Sequence, residues 1–223
     1  MDIIKSHENI FKELKLILTG MEFNKAEYYS QFCSLNFIKG INQVSNHIKL
    51  QLFNDSLGIN YLQGHILLNE VNEILGKFVN LKGNNEFITL KDYINKEKLT
   101  NKLQEINMTL KNRNKSQYLI DIINHIKNLI IPFFEKYPDI EAINNEIINK
   151  VPQKEYTNYI TGKTNFKVLI IMKLCKNPKY GDFRNWALEV YKRGIEIDKT
   201  KYGADYEILQ SLISYLDNEQ YIT

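Results

Sequence analysis

Apolar residues along this chain fall into helical stripes more often than into alternating runs. The clearest stripe lies between Asn124 and Pro138. There Ile126, Leu129, Ile130, Phe133, Phe134 and Tyr137 recur at i, i+3, i+4, i+7, i+8 and i+11, one side of an α-helix. Asn124 is placed to cap that helix and Pro138 to stop it, while Pro132 removes one internal hydrogen bond and predicts a kink. Helices are also expected over residues 8–18, 25–38, 61–78, 139–148, 182–197 and 205–216, with a strongly apolar run at 166–174. Residues 44–53 fit helix or strand, because Ile48, Leu50 and Leu52 alternate over a short run, and residues 87–90 fit a strand or a turn.

A second period sets apart the stretch before the proline-bearing helix. Ile106, Met108 and Leu110 alternate with Glu105, Asn107 and Thr109, the pattern of a half-buried strand. Residues 118–123 are nearly all apolar, with isoleucine at 120, 122 and 123, and the polar run Lys111-Asn112-Arg113-Asn114-Lys115-Ser116 lies between. Strand, basic loop, strand and helix predict a β-hairpin with cations at its tip, a shape that fits a nucleic-acid groove.

These residues resemble the LAGLIDADG homing endonuclease family. Tyr118-Leu119-Ile120-Asp121, followed by Ile126-Lys127-Asn128-Leu129-Ile130-Ile131-Pro132-Phe133-Phe134-Glu135-Lys136-Tyr137-Pro138, is similar to that family's second hairpin and following helix. Lys179-Tyr180-Gly181-Asp182-Phe183-Arg184-Asn185-Trp186 is similar to the run that opens its next helix, which makes residues near 139–178 a helical insertion. The resemblance implies an α+β fold, rich in helix, with a small antiparallel sheet of αββαββα type plus extra helices. It divides the chain into a helical N-terminal half, 1–85, holding a degenerate motif helix, and a hairpin-and-helix half, 86–223.

Members of that family end each motif helix in a carboxylate, and the pair holds Mg²⁺ for phosphodiester cleavage. The run Leu35-Asn36-Phe37-Ile38-Lys39-Gly40-Ile41-Asn42 resembles the motif, but Ile41 stands where the metal carboxylate belongs and Lys39 replaces an acid. A second run, Leu18-Thr19-Gly20-Met21-Glu22-Phe23, has an acid in the wrong order around the glycine. The resemblance therefore implies a nuclease without its catalytic and metal-binding residues, and no cofactor. Mg²⁺ enters only if a different acid restores activity.

Composition narrows the remaining classes. The 223 residues suffice for a real core, 43% hydrophobic content describes a globular protein, and a net charge of +3 permits a nucleic-acid partner without demanding one. Heavy use of Asn, Ile, Lys and Tyr matches an AT-rich coding sequence, so an organelle-encoded mitochondrial protein is expected, with a bacterial cytoplasmic one as the alternative. No apolar run reaches the length of a membrane span, and no targeting segment stands out. Cys33 and Cys175 lack metal-ligand spacing, and His7, His47, His65 and His125 are scattered. P-loop, Rossmann and nucleophile-elbow patterns are missing.

The function expected is a non-catalytic RNA-binding protein, maturase-like or a subunit of a ribonucleoprotein such as the mitochondrial ribosome, with other subunits of such a particle as further partners. Its nucleic-acid contacts are assigned to Lys111, Arg113 and Lys115 at the tip, to Lys96, Lys98 and Lys102 before it, and to Arg184. Tyr156 and Tyr159 are candidate stacking residues. An active Mg²⁺-dependent DNA endonuclease and an all-helical adaptor or immunity protein are the alternatives.

Overall fold

The computed structural model describes residues 3–41, 43–81, 87–92, 96–111 and 114–219. It is helix-rich α+β, with a five-stranded sheet among the described residues in the order β1-β2-β3-β4-β5. Helix α1 (Ile3–Thr19) leads into β1 (Lys25–Tyr29), β2 (Ser34–Ile41), β3 (Val44–Leu52) and β4 (Ile59–Leu68). Then come α2 (Asn69–Gly76), the short β5 (Leu90–Lys91), α3 (Lys96–Lys111) and α4 (Lys115–His125). A π-helical turn, Ile126–Ile130, joins α4 to α5 (Ile131–Lys136). The chain finishes with α6 (Ile140–Ile143), α7 (Tyr156–Tyr159), α8 (Thr164–Leu174), α9 (Tyr180–Ile197) and α10 (Lys199–Asp217).

This order departs from αββαββα, because four strands follow α1 before the next α-helix. Residues 25–38, expected as helix, form β1 and β2, so the motif-like run lies on a strand and Ile41 is its last residue. The N-terminal 85 residues therefore carry four of the strands rather than a helical half. Residues 61–78 divide into the end of β4 and α2. Leu62 and Ile66, four apart, satisfy a helical stripe and a strand alternation equally, and they lie on a strand because β4 pairs with its neighbours in the sheet, with Gly64 between them packed under the 130–134 segment. An all-helical fold is excluded by the same sheet.

The expected β-hairpin at 104–123 is a pair of helices. On α3 the residues turned inward are Leu103 and Ile106, both buried, whereas Met108 is 62% exposed, so the alternation of 106, 108 and 110 does not match the burial. On α4, Tyr118, Leu119, Ile122 and Ile123 are buried and Ile120 is half exposed, the i, i+1, i+4, i+5 pattern of a helix. Asn114, not Asn124, is the cap: its side chain accepts from the Gln117 amide at 3.0 Å. The expected irregularity at Pro132 takes the form of the wide turn before it. The backbone keeps helical dihedrals at His125, Ile126, Ile130 and Ile131, the Ile131 amide donates to the Ile126 carbonyl, and Pro132 withholds the next donor.

Two compact units emerge, Met1–Leu67 with Lys91–Pro138, and Leu68–Leu90 with Asp139–Thr223. In the first, α1 buries Ile10, Leu14 and Leu18, and its Phe11 meets Tyr28 and Phe37 of the sheet at ring-centroid distances of 5.7 and 6.0 Å. Gly64 admits the 130–134 segment against the same face, where a Cβ would lie 2.7 Å from Ile130 Cγ2. Asn107 of α3 fixes the start of β4, accepting from the Ile59 amide at 2.7 Å and donating to its carbonyl at 2.9 Å.

In the second unit α8 is buried from Phe166 to Met172 on every side, so it forms the centre. Helices α2, α9 and α10 pack around it. Lys167 is fully buried on α8, donating to the carbonyl oxygens of Ile88 at 2.6 Å and Thr161 at 2.8 Å.

Candidate functional site

Register places three rows across the sheet on the face opposite Phe37, polar except for Ile38. Lys25, Ile38 and His47 form one row, Glu27, Asn36 and Lys49 the next, and Tyr29, Ser34 and Gln51 the third. Strand β4 adds Tyr61, Gln63 and His65, which alternate with the buried Leu62, Gly64 and Ile66. One face of these strands is thus an apolar floor for α1 and the 130–134 segment. The other carries amides, imidazoles, lysines and tyrosines.

Hydrogen bonds order this face. The Tyr61 hydroxyl donates to Gln63 Oε1 at 2.6 Å, so its 2.8 Å contact with His65 Nε2 requires that nitrogen to carry the proton and donate. The His65 Nδ1 is then a bare acceptor, buried and without a partner. The Tyr61 and His65 rings stack with centroids 6.0 Å apart. His47 Nε2 lies 2.9 Å from Ser45 Oγ.

Charge on this face is modest and positive. Burial pushes His47 down to about 4, and burial with the nearby Lys49 pushes His65 down to about 3, so both are neutral at pH 7. Lys25 pairs with Glu27 at 2.7 Å and holds that carboxyl below its usual range, with Tyr29 adding a second bond. Lys49 and Lys91 have no acidic partner among the described residues. At the edge, Tyr29 is 43% exposed and Phe32 58%, and Gln51 Nε2 donates to the Phe32 carbonyl at 3.3 Å. The arrangement offers neutral donors and acceptors, aromatic faces and two free ammonium groups.

The cations singled out from the sequence are not gathered into one patch. Lys98 and Lys111 are exposed on α3, and Lys96 opens the same helix. Lys102 pairs with Glu105 and Lys115 with Glu13, each at 2.8 Å. Arg184 belongs to the second unit and pairs with Asp217 at 2.8 Å. Arg113 lies outside the described residues. Tyr156 is buried, its hydroxyl donating to the Ile148 carbonyl at 2.7 Å, so it presents no free ring to a base. Tyr61, His65, His47 and Lys49 were not read as a site from the sequence. The signal for Lys49 and His47 was present in the alternation of Ile48, Leu50 and Leu52, whose intervening residues must share the opposite face.

Both cysteines are free thiols, with burial pushing Cys175 up to about 12. Among the described residues no group of three or more His, Cys, Asp or Glu side chains is placed to hold a metal ion, and no helix is long and apolar enough to cross a membrane. Comparison of the chain with protein-family models, curated proteins and solved structures finds no match.

Proposed function

We propose that this chain is a non-catalytic RNA-binding protein that holds single-stranded RNA on the polar face of its sheet. The observation that carries the reading is unpaired Lys49 beside the rings of Tyr29 and Tyr61 on one face, with unpaired Lys91 of β5 close to His65 and the exposed Phe32 in the turn after β1 at the edge. Single strands are bound by cations that follow the phosphates and by rings on which bases stack. Asn36, Gln51 and Gln63 supply donors and acceptors within the same rows, suited to base edges and to the 2′-hydroxyl that separates RNA from DNA. RNA binding in this reading owes nothing to a LAGLIDADG ancestry, since it uses neither a motif helix nor a β-hairpin tip.

Fluorescence anisotropy with a labelled single-stranded RNA of mixed sequence, and with the same sequence as a duplex, tests the proposal. The single strand should bind more tightly. Replacing Tyr29 and Phe32 together with Ala should weaken binding by about 1–3 kcal/mol per lost stack, with an unchanged circular dichroism spectrum. Lys49→Ala should flatten the salt dependence by about one log-log unit. If Lys111→Ala with Lys115→Ala weakens binding and the aromatic pair does not, the sheet face is not the interface.

A further inference from the structure

Helices α3 and α4 face each other across a groove of about 560 Å³, apart from the polar sheet face. The α3 side presents Lys102, Glu105, Ile106 and Thr109, spaced i, i+3, i+4 and i+7. The opposite side presents Asp121, Asn124, His125 and Asn128 at the same spacing, with Leu129 from the π-helical turn. Lys102, Glu105, Asn124 and Asn128 are exposed and form a polar rim open to solvent, while Ile106 and His125 are buried. His125 is 2% exposed with neither ring nitrogen hydrogen-bonded. A buried polar group left unmade costs free energy that an apolar side chain would avoid.

The charged groups of the groove are already engaged within the chain. Asp121 accepts from Thr109 Oγ1 at 2.7 Å and from Gln117 Nε2 at 2.9 Å, and Glu105 pairs with Lys102 at 2.8 Å. Burial and the nearby Lys102 keep the His125 imidazole neutral, its pKa down to about 4. What remains open is one imidazole donor, one imidazole acceptor and the two exposed carboxamides of Asn124 and Asn128. Ile106 and Leu129 supply apolar surface beside them.

We propose that this groove binds a small neutral nitrogen heterocycle of the nucleobase type, whose ring edge alternates donors and acceptors. The complement is chemical: neutral groups of both hydrogen-bonding senses meet the ring edge, and apolar side chains meet its faces. The volume suits a nucleoside, within the range of ordinary small-molecule pockets. The π-helical turn directly after His125 contributes Asn128 and Leu129 to the lining, and such turns are frequent at functional sites.

The test titrates adenosine, guanosine, cytidine and uridine separately into protein carrying ¹⁵N-labelled histidine and follows the imidazole nitrogens by NMR. At least one nucleoside should move the His125 resonances at up to millimolar concentration, and myo-inositol, a polyol without ring nitrogens, should not. Asn124→Ala and Asn128→Ala, both at exposed positions, should each weaken that nucleoside roughly three- to tenfold while the fold is retained. The proposal is overturned if no nucleoside moves His125, if inositol moves it equally, or if neither asparagine change matters. The Tyr29→Ala, Phe32→Ala protein should bind the nucleoside as the unaltered protein does, which separates this site from the sheet face.

Discussion

At Gly64 the sheet and the helix behind it come together without room for a methyl group. A Cβ there would stand 2.7 Å from Ile130 Cγ2 and 3.1 Å from Phe134 Cε1, so Gly64→Ala must push the 130–134 segment off the sheet. The expected cost is about 1–3 kcal/mol, read from the shift in denaturant midpoint. The buried histidines give a pH signature with a definite sign. His47, His65 and His125 are held near 4, 3 and 4, against an ordinary 6.5. Between pH 6.5 and 4 the unfolded chain therefore binds protons that the folded chain refuses, and stability falls as pH falls. Each group contributes at most about 1.4 kcal/mol per pH unit. Burial raises Asp92 to about 6, and the sign reverses: between pH 6 and 4 the folded state takes that proton first and gains stability. Asp92→Asn should therefore steepen the loss of stability between pH 6 and 4, measured as denaturant midpoints at several pH values. None of these environments is visible in a residue's own letter; His47 and His125 read alike until their neighbours are placed.

Elements were legible where one period excluded the other. The stripe of α1 is legible because Ile10, Phe11, Leu14, Ile17 and Leu18 recur at i, i+1, i+4, i+7 and i+8, which only a helix gathers on one side, and Ile10, Leu14 and Leu18 are buried. The helical reading of 126–137 survives as a wide turn followed by α5, with its stripe residues Ile126, Ile130, Phe133, Phe134 and Tyr137 buried. Strands β1 and β2 were missed because tyrosine and phenylalanine clusters satisfy a helical stripe as readily as a strand face. The error at 104–123 has the opposite form: alternation over six residues imitated a strand, while Leu103, Ile106, Tyr118 and Ile122 carried the helical burial. The start of α4 offers a direct check, since Asn114 caps it. Asn114→Ala should cost about 1 kcal/mol in thermal or denaturant unfolding, whereas a true β-hairpin tip would be nearly indifferent to that change.

For the whole molecule, the chain does not form its units from consecutive halves. Residues 68–90 join the second unit before the chain returns to the first at Lys91. Helix α2 brings Val71, Ile74 and Leu75 to the unit centred on α8, and Ile88 gives a carbonyl to the buried Lys167. A fragment of residues 139–223 would expose the α8 surface and take the Ile88 carbonyl away from that buried lysine. It should lack a cooperative unfolding transition by circular dichroism, and adding residues 68–90 as a peptide should restore structure. Sequence by itself determined a chain rich in helix and a hydrophobic repertoire large enough for real cores. Those follow from composition and from periods that repeat over many residues. Tertiary structure decided which apolar residues in 25–68 share a sheet face, that 104–123 is a helical pair, and that His125 is left without a partner. Each depends on contacts between residues distant in the chain, and local periodicity carries no information about them.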